Sequence, residues 1–191
     1  MIKNRGFTLI ELLIVVGIMT VITAVTMANY GEFGAKILLR NMTYDLALTV
    51  REAQVFGASG RFQDVDTFGN TTPIIMYFDN TVNAPYLFYT FKDSNGNYEQ
   101  DAGEFVSGYN LGRGFTISDI TANTGTIPSI DRLAIRFKRP ESDAIIQNRE
   151  TSSRNGDIYA DTRITVMSPK GEELSVVVES AGQISVQRVA P

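Results

Sequence analysis

The chain has 191 residues, a hydrophobic share of 43% and a formal charge of −4, with neither cysteine nor histidine. That size suits one globular core plus an appended segment, and the missing residue types exclude disulfides, thiolate nucleophiles, imidazole bases and the usual zinc ligands. Two of the 17 Lys+Arg, Lys3 and Arg5, precede a long apolar run, so the remaining 15 face all 21 acidic residues; this is not the electrostatic footprint of a nucleic-acid binder.

From Phe7 to Ala28 the sole charged residue is Glu11. As a helix the run measures about 33 Å, enough for the roughly 30 Å hydrocarbon layer. Basic residues lie ahead of it and no comparable cluster follows at once. The expected topology is therefore a single pass through the inner membrane, with a cytoplasmic N-terminus and the rest of the chain in the periplasm or outside. A secretory signal places its small-residue cleavage site after the apolar core, whereas here Gly6 stands before it, so a cut after Gly6 leaves the helix attached. Glu11 costs at least a few kcal/mol inside the span. Either it snorkels to the interface, or a cation waits at matching depth. A cut after Gly6 would supply that cation as the new amine of Phe7, four residues away, and the helix N-terminus adds favourable partial charge.

The stretch Lys3-Asn4-Arg5-Gly6-Phe7-Thr8-Leu9-Ile10-Glu11-Leu12 resembles the processing signature of type IV pilins and type II secretion pseudopilins. The resemblance implies that prepilin peptidase cuts after Gly6, that Phe7 becomes the N-methylated first residue, and that Glu11 meets the amine of a neighbouring pilin or pseudopilin subunit during assembly. It also implies an α+β fold, with a long N-terminal α-helix, half hydrophobic and half amphipathic, packed on an antiparallel β-sheet. The expected divisions are a leader at 1–6, a membrane and assembly helix at 7–30, an amphipathic continuation at 31–60 and a sheet domain at 61–191.

After Ala28, Gly31 and Gly34 each cost about 1 kcal/mol relative to alanine in a helix interior, so a bend or loosened turn is expected there. From Ala35 to Phe56 a helical period returns. Leu38, Met42, Leu46, Val50 and Ala53 form one apolar stripe, with Arg40, Asp45, Arg51 and Glu52 on other faces. Packing on the chain's own sheet is the commoner use of such a stripe; a separate partner helix is the other. Gly57 and the Ala-Ser-Gly after it should stop the helix.

Beyond Gly60 the period becomes two. Ile74–Phe78 and Tyr86–Lys92 read as adjacent antiparallel strands, Phe115–Ile120 as a weaker strand, and Leu133–Phe137 as a strand with one wet face, ended by Pro140. The polar stretch Gln147–Asp157 reads as an exposed loop. Thr162–Met167, Leu174–Glu179 and Gln183–Val189 form a three-strand meander. The closing ELSVVVESAGQISVQRV also resembles the end of H-type minor pseudopilins. Many pilins close a distal loop with a disulfide, which this chain cannot form, so another staple or plain sheet packing must serve.

One candidate staple is DSNGNYEQDAGE. Asp93, Asn95, Asn97, the Glu99 carbonyl, Asp101 and Glu104 occupy positions 1, 3, 5, 7, 9 and 12 of a twelve-residue calcium loop. Tyr98 stands where the helix-flanked loop wants glycine, and the flanks read as strands. The sequence thus leaves two readings, a hairpin clamped by Ca2+ or a polar turn formed for local backbone reasons. Other carboxylate pairs, such as Glu172 with Glu173, come with no nucleophile, phosphate cradle or cleft, so an enzyme is not expected. Three functions remain: a subunit of a type IV pilus-like filament, a minor pseudopilin of a type II secretion system, and a non-polymerising, signal-anchored, calcium-dependent binding module.

Overall fold

A computed structural model describes residues 6–59, 72–81, 87–123, 127, 129–137, 143–149 and 157–189, and of residues 28–33 the backbone alone. The basic leader up to Arg5, Tyr86, Pro140 and the stretch 150–156 lie outside these residues. The chain divides into two compact units, Met1–Leu38 and Leu39–Pro191.

Helix α1 (Leu9–Ser59) starts in the first unit and ends in the second. Its helical backbone continues through Gly31 and Gly34, so the turn expected there does not interrupt the element. From Leu9 to Met27 its side chains are unburied. In the second unit the buried stripe is Leu39, Thr43, Leu46, Val50 and Ala53, one position later at its start than the sequence suggested. Leu38 and Met42 are only half-buried. Thr43 can enter the core because its hydroxyl donates to the Leu39 carbonyl at 2.8 Å, which leaves no bare polar group inside. Among the large apolar side chains of this helix part, Tyr44, Leu48 and Val55 stay exposed.

Among the described residues ten strands follow: β1 (Ile74–Asp79), β2 (Phe88–Lys92), β3 (Phe105–Tyr109), β4 (Thr116–Ala122), β5 (Arg132–Phe137), β6 (Ala144–Asn148), β7 (Ile158–Tyr159), β8 (Asp161–Met167), β9 (Glu173–Glu179) and β10 (Ile184–Arg188). The α+β class holds, but the strands form two antiparallel sheets instead of one, ordered β3-β2-β1-β5-β6-β7 and β10-β9-β8-β4. After β3 the chain gives β4 to the second sheet, returns for β5 to β7, and ends with the expected meander β8-β9-β10. A backbone bond from the Ala144 amide to the Ser180 carbonyl at 2.9 Å ties β6 to the end of β9.

Period-two alternation puts Ile74, Met76 and Phe78 of β1 on one face, with Leu133, Ile135 and Phe137 of β5 beside them, all buried. In the second sheet Ile120, Ile164, Val166, Val176 and Val178 are buried. Three strands escape a sequence reading: β3, β6 and the two-residue β7. In β3, Ser107 and Gly108 break the apolar pattern. In β6, Gln147 looks like the start of a loop, yet it is buried, paired with Ala134 of β5, and followed by a buried Arg149.

The helix also runs past Gly57, which was expected to help end it. That glycine serves close approach instead. A β-carbon placed there would lie 2.6 Å from the Phe137 β-carbon and 2.9 Å from the Phe137 carbonyl oxygen, so α1 lies directly on β5. Gln54 secures the same helix end by donating to the Gly182 carbonyl at 2.9 Å. Gly57→Ala, although it improves helix propensity, should destabilise the domain by about 1–3 kcal/mol through overpacking. The check is a lower denaturant midpoint for the full chain in detergent.

Candidate functional site

In the first unit, Gly6 and Phe7 precede α1 outside any helix or strand. Phe7 is 85% exposed, and nothing lies within 4 Å of the β-carbon position of Gly6. Thr8 then caps α1. Its hydroxyl accepts the Glu11 amide at 3.3 Å, while Glu11 Oε2 accepts the Thr8 amide at 2.9 Å and the Thr8 hydroxyl at 2.8 Å. This is a capping box, in which two donors left over at the helix start are satisfied reciprocally. Its signature, Thr-x-x-Glu ahead of an apolar run, is present in the sequence. Attention to Glu11 as a charge in a membrane passes over it.

The helix behind the cap has a mean hydropathy of 2.4 from Leu9 to Met27 and is long and apolar enough to cross a membrane. Its three threonines turn inward on the backbone. Thr20 donates to the Val16 carbonyl at 2.8 Å, Thr23 to Met19 at 2.8 Å and Thr26 to Ile22 at 2.9 Å, the usual way for hydroxyls on an apolar helix to stay satisfied.

In the second unit the stretch Asp93–Glu104 joins β2 to β3, so its flanks are strands, as read. The Lys92 amide donates to the Glu104 carbonyl at 2.9 Å and closes the base of the loop. Asp93 is buried, and its carboxylate accepts the amides of Asn97 at 3.1 Å and Tyr98 at 3.3 Å. The Asn95 side-chain oxygen accepts the Asn97 amide at 3.0 Å, and the Asn97 oxygen accepts the Glu99 amide at 2.8 Å. Asp101 Oδ2 takes the side-chain nitrogens of both asparagines, each at 2.7 Å. Glu104, also buried, accepts the amides of Ser94 at 2.8 Å and Asp101 at 3.0 Å. Asn95, Asn97 and Asp101 thus meet one another, whereas Asp93 and Glu104 are tied to the loop backbone. Among the described residues no three acidic side chains converge closely enough to hold a metal ion. The donor chemistry, oxygens throughout, is nonetheless that of a hard cation such as calcium.

Tyr98 takes the backbone conformation that position six demands, with φ at 63°, at the conformational cost a non-glycine residue carries there. Its side chain offsets that cost. The ring packs with Tyr77 and Tyr89 around Ile75, Phe91 and Ala134, the Arg136 guanidinium sits 4.5 Å from its centre, and Arg149 donates to its carbonyl at 3.1 Å. Burial pushes the Asp93 carboxyl above its ordinary value of 3.8, against the amides of Tyr98, Gly96 and Asn97, which favour its charged form.

Residues 1–27 match the family described as the prokaryotic N-terminal methylation motif. The chain is 35% identical over 66 residues to the fimbrial protein EcpB of Eikenella corrodens. That match takes in 35% of this chain and 42% of the relative, so the chain spans less than half the length of the curated relative it matches. No solved structure matches it. A capped apolar helix within the prokaryotic N-terminal methylation motif makes the N-terminal segment of this chain similar to that of type IV pilin-like proteins.

Proposed function

We propose that the chain is a structural subunit of a type IV pilus-like filament. It enters the inner membrane as a precursor, prepilin peptidase cuts it after Gly6, Phe7 is methylated, and the helix behind it bundles with helices of other subunits. The observation that carries this reading is the unburied helix from Leu9 to Met27 under a methylation motif. Its thirteen large apolar side chains are half-exposed or more. At about 1.5–3 kcal/mol for a fully exposed side chain, scaled to that exposure, leaving them in water would cost roughly 12–24 kcal/mol, comparable to or above a typical domain's whole stability. Lipid covers them before assembly and neighbouring helices afterwards. Glu11 then faces the amine of an adjacent Phe7, which supplies the counter-charge a carboxylate at that depth needs. The fimbrial name of the matched relative favours a surface pilus over a secretion pseudopilus.

In the same reading the loop Asp93–Glu104 takes calcium, with Asp93, Asn95, Asn97, the Glu99 carbonyl, Asp101 and Glu104 as its oxygen donors. The metal would supply the staple that disulfides give other pilins. The backbone bonds of Asp93, Asn95 and Asn97 described above support this, since such bonds still leave carboxylate and amide oxygens with acceptor capacity.

In the native host, mass spectrometry should find a chain beginning at methylated Phe7. Glu11→Gln should insert and be cut normally yet lower filament yield about tenfold or more, since it removes the charge from the pair. An intact Met1, or normal yield from the variant, counts against polymerisation and favours a membrane-anchored binding module. For the loop, millimolar calcium should raise the melting temperature of the wild-type chain and leave Glu104→Gln unmoved. Because burial raises the Asp93 pKa in the folded state, the folded chain holds that proton more tightly than the unfolded one. The contribution of Asp93 to stability therefore falls as pH rises from the ordinary value of 3.8. In chelator, wild type should lose ground to Asp93→Asn as pH rises above about 4, and calcium should restore it.

A further inference from the structure

Among the described residues β10 is an outer strand, paired with β9 alone. The Gln183 carbonyl accepts the Glu179 amide at 2.9 Å, so alternation turns the main-chain groups of Ile184, Val186 and Arg188 away from β9. Between this edge and α1 runs a groove of about 360 Å³ lined by Tyr44, Leu48, Arg51, Ile184 and Val186. Tyr44 is 48% exposed and Leu48 65%. Proteins usually blunt a strand edge; one that lies open beside an apolar groove suits an added strand, whose main chain pairs with the edge while an alternate side chain fills the groove. In the other sheet β3 is also an outer strand among the described residues, and it begins with Phe105, 43% exposed. We infer that β3 of a second copy adds to β10, with its Phe105 seated in the groove between β10 and α1. This inference rests on the filament reading and deepens it, because it gives the second unit a subunit contact of its own.

Three physical points support it. The first is preorganisation. The Glu104 carbonyl accepts the Lys92 amide, and its carboxylate accepts the amides of Ser94 and Asp101, so Phe105 leaves a fixed base and little ordering is left for the moment of contact. The second is charge. Arg51 lines the groove and Arg188 ends β10, both exposed, whereas the loop that leads into Phe105 exposes Glu99 and Asp101; opposite signs on the two edges steer and orient their approach. The third is symmetry. The two edges belong to different sheets, so the contact is heterologous: each copy offers β3 to one neighbour and β10 to another, and the series stays open at both ends. Pairing of β10 with β10 would stop at a dimer.

The chain has no cysteine, so introduced cysteines report this contact without background. Full-length Leu48→Cys and Phe105→Cys chains are expressed together in the host that assembles them, and the filaments are oxidised. A disulfide forms only where the two α-carbons come within about 7 Å, so the expected product is a dimer with one chain of each kind. Leu48→Cys is also tested with itself, with Ile158→Cys as an exposed site elsewhere in the unit, and with Val21→Cys as a site on the apolar helix; none of these should link. Separately, Leu48→Ser and Phe105→Ser should each keep the wild-type melting temperature in detergent while filament yield falls about tenfold or more, the effect of losing one buried apolar side chain per contact. Linkage of Leu48→Cys to itself or to Val21→Cys gives the groove to another occupant and overturns the inference. Filaments without the Leu48–Phe105 linkage, or wild-type yield from both serine variants, overturn it while the filament reading stands. Absence of filaments from the wild-type chain removes that reading, and this inference with it.

Discussion

Apolar surface that has no covering of its own governs this protein. From Leu9 to Met27 the helix is unburied among the described residues, and wetting it would cost as much as a typical domain's whole stability. The chain must therefore always be beside something else that is apolar. Lipid and a bundle of like helices are both acceptable surroundings, and neither is more apolar than the other. Choice between them then falls to the few polar features of the helix. These are the carboxylate of Glu11 and the cap at Thr8, joined in the proposed filament by the amine that a cut after Gly6 would release.

The second unit meets a different constraint. Its longest hairpin connection, between β2 and β3, is polar and has no cysteine to hold it. Three devices fix it in place. Asp93 and Glu104 bind backbone amides from inside the loop, and Tyr98 reaches out of it onto the sheet. The left-handed backbone at Tyr98 is acceptable because a bulky ring there finds both an apolar bed and the Arg136 guanidinium. Glycine would ease the backbone and leave nothing to anchor.

Much of this was legible in the residues, and the rest was hidden for physical reasons. The apolar run, its single acid and the period-two strands around Ile74, Leu133, Thr162 and Leu174 are local signals, and they led to the right elements. The register of the helix stripe slipped by one at its start, because a threonine that bonds its own helix can occupy a core position that pattern reading reserves for leucine. β3 and β6 were missed because Ser107, Gly108 and Gln147 owe their strand conformation to neighbours distant in sequence. The division into two sheets depends on a crossover that alternation cannot express. At the N-terminus, Thr8 was readable by its spacing to Glu11 but was overshadowed by the charge. Tyr98 was noticed only as a departure from glycine, since its anchoring partners come from β5 and from just beyond β6.

The inward-turned hydroxyls of Thr20, Thr23 and Thr26 carry one more implication. Each already has its acceptor within the preceding turn, so none need be desolvated, exchanged or re-paired when the surroundings change. Moving this rod between two oily environments breaks no bond inside it, and its internal wiring is the same on either side of the journey.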